Sequence, residues 1–229
     1  MNADDLRPKA DDLEPNADDL TRNAGAPALD AEALALARAF ADRPGELDRL
    51  HDRLAVAAAR DGILDVAYRT VDSPVGPLLL AATEAGLVRV AYASEDHEAV
   101  LQSLADRISP RVLRAPGRLE PAARELQEYF TGRRHRFDLA LDWRLAAGFR
   151  RAVLAHLPEI GYGRTASYAA VAELAGHPRA VRAAATACAT NPLPVVVPCH
   201  RVIYSDGRIG RYLGGPEAKR TLLALEAAA

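Results

Sequence analysis

The stretch Asn191-Pro-Leu-Pro-Val-Val-Val-Pro-Cys199-His200-Arg-Val-Ile203 sets a thiol beside an imidazole and a guanidinium. A cysteine attacks as its thiolate, and at an ordinary pKa of about 8.5 only a few per cent is ionised at neutral pH. A neighbouring base that takes the proton removes that handicap, and a carboxylate behind an imidazole fixes its tautomer and strengthens it. Cys199 and His200 are therefore a candidate nucleophile and base. A buried structural cysteine is the commoner fate of a single Cys. Cys188, set among alanines with no basic sequence neighbour, is given that fate. The His and Cys residues make no zinc-like spacing, so neither a metal nor a cofactor is expected.

The elements that must position these groups follow from periodicity. Val195–Val197 reads as a buried strand that Pro198 ends, presenting Cys199 at its edge. From Gly148 the chain is helix-rich, with helices over Phe149–Leu157, Ser167–Ala175, Arg179–Ala189 and Glu217–Ala228. Ser167 is read as an N-cap, and Gly176-His177-Pro178 as a short turn. Two short helices joined in this way have the outline of a helix-turn-helix. Upstream, Val66–Val71, Leu78–Ala82 and Leu87–Tyr92 are short strands joined by tight turns. Helices follow over Asp96–Ile108 and Pro121–Phe130, the first with Val100, Leu101, Leu104 and Ile108 on one face. Residues 29–62 form a helical hairpin broken at Pro44-Gly45, whose Leu47, Leu50 and Leu54 stripe is expected to pack on the next domain. Residues 1–28 repeat NADDL with variations and carry a net charge of -4, which reads as a disordered acidic tail. The fold class is then α/β (α+β): a small antiparallel-sheet N-terminal domain over 63–146 and a helix-rich C-terminal domain over 147–229.

Composition bounds the function. The chain has 229 residues, 49% of them hydrophobic, enough for a core. No apolar run reaches the ~18–20 residues of a membrane helix. The acidic, polar first residues do not resemble a secretory signal, so a reducing cytoplasm and two free thiols are expected. Taken whole, the net charge of -2 argues against a nucleic-acid binder, but it is unevenly spread. Residues 147–229 hold ten basic and five acidic residues, +5, which leaves -7 on residues 1–146. Such asymmetry between halves suits a protein that meets nucleic acid on one of them.

Pro198-Cys199-His200-Arg201-Val202 resembles the signature of the O6-alkylguanine-DNA alkyltransferases, the methylated-DNA–protein-cysteine methyltransferases. Further motifs fall in that family's order and spacing: Phe149-x-Arg151-x-Val153, Gly163-x-Thr165-x-Ser167-Tyr168, Gly176-x-Pro178-x-Ala180-x-Arg182-Ala183, Asn191-Pro192, Tyr212-x-Gly214-Gly215 and Leu222-Leu223-x-Leu225-Glu226. The resemblance covers roughly 65–229, and Tyr129-Phe130-x-Gly132 and Phe137-Asp138-Leu139 fit the end of the N-terminal domain.

The resemblance implies a monomeric suicide DNA-repair protein that acts on double-stranded DNA containing O6-alkylguanine and moves the alkyl group to Cys199 once per molecule. It implies base flipping, with Arg182 filling the gap and Thr165, Ser167, Ala180, Ala183 and Ala185 on the DNA face. Tyr168 would protonate guanine N3, and Glu226 would stand behind His200. Asn191 would be the hinge to the active-site loop. Val202, Tyr212, Leu213 and Gly214 would line the substrate pocket, the carbonyls of Cys199 and Val202 receiving the guanine amine and the Leu213 N–H facing O6. Lys219 also falls at a family lysine. The sequence departs from the family pattern at Leu154, Gly161, Ala185 and Leu213, none of which is the nucleophile. Two other readings start from the same residues. A non-catalytic lesion binder would lack Cys199. A Cys-His hydrolase oriented by Glu226 leaves Arg182, Asn191 and the basic half without a role.

Overall fold

Strands β1 (Val66–Val71), β2 (Leu78–Thr83) and β3 (Gly86–Tyr92) form an antiparallel meander. The computed structural model describes residues 45–228, so the acidic tail and the first arm of the expected hairpin lie outside the described residues. The chain divides at Asp48/Arg49, and residues from Arg49 onward form one compact unit. A fourth strand, β4 (Val112–Arg114), extends the expected antiparallel sheet by pairing parallel to β1, giving the order β3-β2-β1-β4. The crossover helix α2 (His97–Arg107) permits that parallel return.

All of β2 is buried, because both faces of the sheet are covered. On one face Val66, Leu79, Ala81, Val88 and Ala91 meet Val100 and Leu104 of α2. On the other, Ala67, Leu78, Leu80, Val90 and Tyr92 join Leu126 and Tyr129 of α3 (Glu120–Phe130). That second cluster runs on without a break through Val153, Val171, Ala184, Cys199 and Leu222. The sheet is thus the floor on which the C-terminal helices and the Cys199 loop are built.

The C-terminal helices are α4 (Gly148–His156), α5 (Tyr168–Leu174), α6 (Val181–Ala189) and α7 (Gly215–Ala227). Ser167 caps α5 by accepting from the Ala170 N–H at 3.1 Å. The pair α5–α6 is the expected helix-turn-helix, with α4 packed against both. A two-stranded parallel ladder of β5 (Ala166–Ser167) and β6 (Val202–Ile203) ties the start of α5 to the segment that follows Cys199. No helix among the described residues is long and apolar enough to cross a membrane.

Two expectations are corrected. The stripe of helix α1 (Glu46–Arg60) is not what packs: Leu50 and Leu54 are 40% and 55% exposed, while Ala55 and Ala58 are buried. The small alanine face allows close approach and turns the leucines outward; the side chain of Leu47 lies outside the described residues. Residues Val195–Val197 are buried as expected, yet they form turns and not a strand. Pro192, Pro194 and Pro198 remove the N–H donors a ladder needs. The chain instead reverses, with the Val197 N–H on the Leu193 carbonyl at 2.8 Å and Val195 at φ +71.

Gly86 shows how tightly the sheet is joined to the segment before α4. Its φ is +132, and a Cβ there would run into the Ala140 carbonyl, while the Leu87 N–H binds that same carbonyl at 2.9 Å. Gly86→Ala is expected to cost about 3 kcal/mol, since backbone clash adds to left-handed strain. A urea unfolding midpoint equal to that of the unsubstituted protein would contradict this packing.

Candidate active site

Glu226, in the last turn of α7, is the centre of the buried polar cluster. Its carboxylate accepts from His200 Nε2 at 2.8 Å and from the Tyr129 hydroxyl at 2.7 Å. Arg201 donates through Nε to Oε2 and through Nη2 to Oε1, both at 2.9 Å, and the Gly163 N–H reaches Oε2 at 3.2 Å. Burial alone pushes a carboxyl pKa up. Here the hydrogen bonds from His200, Arg201 and Tyr129 outweigh burial and hold Glu226 at about 2. Arg201 is anchored in turn by Nη1 on the Ile160 carbonyl at 2.6 Å.

His200 is fully buried, and burial keeps its pKa below the ordinary 6.5 despite the carboxylate beside it. The ring is therefore neutral at pH 7. Its Nε2–H is given to Glu226, which leaves Nδ1 with the lone pair. That Nδ1 is buried and has no hydrogen-bond partner among the described residues. It is the one ring nitrogen able to take a proton.

Cys199 opens a 3-10 turn (Cys199–Arg201) and is 2% exposed. Asn191 Nδ2 lies 3.1 Å from Sγ and 2.8 Å from the Val197 carbonyl, while Asn191 Oδ1 accepts from the Leu193 N–H at 2.9 Å. One side chain thus clamps both sides of the proline-rich loop and touches the sulfur. Val195, β-branched at a positive φ, holds strain in that loop that the clamp must sustain. Burial pushes the thiol up to about 11, against which the Asn191 hydrogen bond and the Lys219 charge pull it down. The resting sulfur is a thiol, and it needs a base. Lys219 is wholly buried on α7, its pKa lowered by burial, with Nζ donating to the Val202 carbonyl at 2.6 Å.

Of the residues expected around the substrate, Tyr168 and Leu213 border different cavities. Tyr168 opens α5 with its ring buried and its hydroxyl without a hydrogen-bond partner among the described residues; burial pushes its pKa up to about 12. The Tyr212 ring stands edge-on to His200, and its hydroxyl lies 2.8 Å from that of Tyr92 on β3. The Tyr92 ring also presses on Gly214, where a Cβ would come within 2.6 Å of it. The Leu213 N–H makes no hydrogen bond among the described residues. On the outer side, Ser167, Tyr168, Arg182 and Ala185 line a cavity of about 240 Å³. Arg182, Ala183 and Thr165 are exposed, and Ala180 is half-buried at the N-cap of α6.

The structure therefore gathers Cys199, His200, Glu226 and Asn191 into one buried cluster, with Tyr168 and Arg182 sharing a cavity wall. Sequence reasoning missed the Tyr129 and Arg201 bonds to Glu226 and the Tyr92–Tyr212 pair. Arg201 was in view beside His200, but Tyr129 stands 97 residues from Glu226 and no local pattern joins them.

The family model for the 6-O-methylguanine DNA methyltransferase DNA binding domain matches residues 148–228, and that for the ribonuclease-like domain of the same protein matches 66–143. A curated methylated-DNA–protein-cysteine methyltransferase from Mycolicibacterium paratuberculosis is 40% identical over 161 residues, covering 70% of this chain and 92% of that protein. One from Methanosarcina barkeri is 38% identical, covering 69% and 96%. The crystal structure of Mycobacterium tuberculosis O6-methylguanine methyltransferase superposes with a TM-score of 0.63 at 37% identity, covering 71% of this chain and 93% of that one. The M. tuberculosis OGT in complex with DNA superposes with a TM-score of 0.62. A buried Cys-His-Glu cluster beneath a helix-turn-helix thus occurs in a chain that belongs to the 6-O-methylguanine DNA methyltransferase family.

Glu226 contributes stability above the ordinary carboxylate value of 4.5, and that contribution is lost as pH falls toward about 2. Its size is on the order of 3 kcal/mol. Glu226→Gln is expected to lower stability at pH 7 by about 3–5 kcal/mol, because Arg201 is left buried without its counter-charge, and to flatten the acid limb. Urea midpoints from pH 3 to 8 check this; an acid limb as steep as that of the unsubstituted protein would contradict it.

Proposed function

We propose that this protein repairs alkylated DNA by moving the methyl group from O6 of guanine in duplex DNA to Sγ of Cys199, once per chain, as a monomer in the cytoplasm. The observation that carries the reading is a buried Cys199 thiol, packed in one core cluster with Val171 and Ala184 of the helix-turn-helix and followed in sequence by a neutral His200 whose free Nδ1 can take a proton.

The target atom lies inside the stacked duplex, so the nucleotide must leave the stack, at a cost of a few kcal/mol. Arg182, exposed at the start of α6, enters the gap, where a planar cation can stack on bases and hydrogen-bond the orphaned cytosine. Ala180, Ala183 and Ala185 keep that helix surface low enough for close approach, and Thr165 and Ser167 flank it. The extruded guanine enters the pocket of Tyr168, Val202, Tyr212, Leu213 and Gly214. The Cys199 and Val202 carbonyls take its amine, and the unpaired Leu213 N–H faces O6. Lys219 already holds the Val202 carbonyl, which fixes the direction of its second lone pair.

His200 takes the thiol proton and passes it to solvent. The S–C bond forms as the C–O6 bond breaks, and the electron pair moves into the guanine ring. Tyr168 gives its proton to N3, so guanine leaves neutral, and the hydroxyl is reprotonated from solvent. No group in the cluster can displace the thioether that results, so each chain reacts once.

Two outcomes test this. After incubation with a duplex carrying O6-methylguanine, intact mass should show one methyl adduct per chain, located on Cys199 and absent in Cys199→Ser. Repair beyond one equivalent, or an adduct at another residue, would contradict the reading. The single-turnover rate should fall on acidification below the ordinary histidine value of 6.5, as His200 gains a proton and ceases to be a base. His200→Gln should be slow and lack that acid limb; an unchanged profile would remove the base role.

A further inference from the structure

Tyr204 is a large apolar side chain that neither the core nor the reaction uses. It follows β6, five residues after Cys199, and is 45% exposed. The turn it begins does not need its ring. The Tyr204 N–H binds the Arg208 carbonyl at 2.9 Å, the Gly207 N–H returns to the Tyr204 carbonyl at 3.0 Å, and Asp206 Oδ1 accepts from the Arg208 N–H at 3.0 Å. The ring is left over, and it is held in place. Its edge meets the Tyr168 ring at 5.4 Å between centroids, and the Arg208 guanidinium sits 5.4 Å from its centre. Arg208 is itself fixed by Asp206 at 2.7 Å. Ile209, on the far side of the same turn, is also exposed.

The place of this ring gives it a partner. Tyr204 and Ser205 form one wall of the cavity of about 240 Å³ whose other walls are Ser167, Tyr168, Arg182 and Ala185. Arg182 stands on the recognition helix and Tyr168 at the head of α5, so the cavity lies between the DNA-reading surface and the buried cluster. An exposed aromatic beside a cation is the arrangement that stacks on nucleobases whatever their identity, with about 1–3 kcal/mol per base. A base offers a flat π-face that can displace water from this ring, which a duplex edge without an unstacked base does not.

We propose that Tyr204, braced by Arg208, is a DNA-stacking residue that receives a nucleobase of the target strand at the gap opened by extrusion. This inference rests on the alkyl-transfer reading above. Arg182 fills the space inside the helix while Tyr204 covers the unstacked base beside the cavity, so the opened duplex is held from two sides. The ring acts on the opened state of DNA, not on the sulfur.

The test compares two substrates in the full-length protein: a duplex carrying O6-methylguanine, and the free base O6-benzylguanine. Tyr204→Ala should lower the second-order rate on the duplex about tenfold, within the range expected for one lost stacking contact, and lower that on the free base at most about twofold. Tyr204→Phe and Tyr204→Trp should restore the duplex rate, because they keep the π-face. Arg208→Ala should fall between. Equal losses on both substrates would mean that the ring only supports Tyr168, and a duplex rate unchanged in Tyr204→Ala would mean that it touches no base; either overturns the proposal. If the unsubstituted protein reacts with neither substrate, the alkyl-transfer reading itself fails, which the variants cannot mimic.

Discussion

A carboxylate that is buried must be answered by donors, and at Glu226 the answer organises the protein. Its four side-chain and main-chain partners come from separate stretches: Tyr129 from α3, Gly163 from the loop before α5, and His200 and Arg201 from the turn that carries the nucleophile. An uncompensated charge at this depth costs several kcal/mol, so the chain has one arrangement in which all these segments can meet. Helix α3, the loop before α5, the Cys199 turn and the last helix are therefore held in register by one ion. The same ion sets the tautomer of His200, since a carboxylate can accept only from a protonated Nε2.

The chemistry follows from the same burial. A thiol raised to about 11 is unreactive toward passing electrophiles, which suits the single use proposed for Cys199. The neutral imidazole of the next residue, His200, is a base without being a permanent charge. On the proposed mechanism the thiol is protected until a substrate fills the pocket, when the leaving guanine, Tyr168 and His200 would together complete the proton balance. The strain at Val195 and the clamp of Asn191 hold the sulfur at a fixed height in that pocket. Pre-positioning of this kind lowers the barrier by removing reorganisation at the moment of reaction.

Much of this was legible in the residues. The strands of the meander were readable as short apolar runs between tight turns, and helices such as α2 because one face is buried, as Val100 and Leu104 are on α2. Cys199 and His200 declared themselves by adjacency, and Glu226, Asn191, Tyr168 and Arg182 through ordered motifs. What failed to show has physical causes. The run Val195–Val197 has a strand's composition, but the prolines around it forbid a ladder. The leucines of α1 carry more hydrophobicity than its alanines, yet close approach of the small side chains decided which face packs. Strand β4 is three residues long and carries no alternation to read. Tyr129 and Tyr92 act across the sheet-to-helix junction, so their roles exist only once the two halves have packed.

The central claim is that His200 is neutral, with its proton on Nε2 toward Glu226 and its lone pair on Nδ1. Nitrogen chemical shifts of His200 in the resting protein, followed by NMR from pH 5 to 8, test it most directly. The account predicts a protonated Nε2 and an unprotonated Nδ1 at neutral pH, with any titration below 6.5. A cationic ring at pH 7, or the proton on Nδ1, would contradict it.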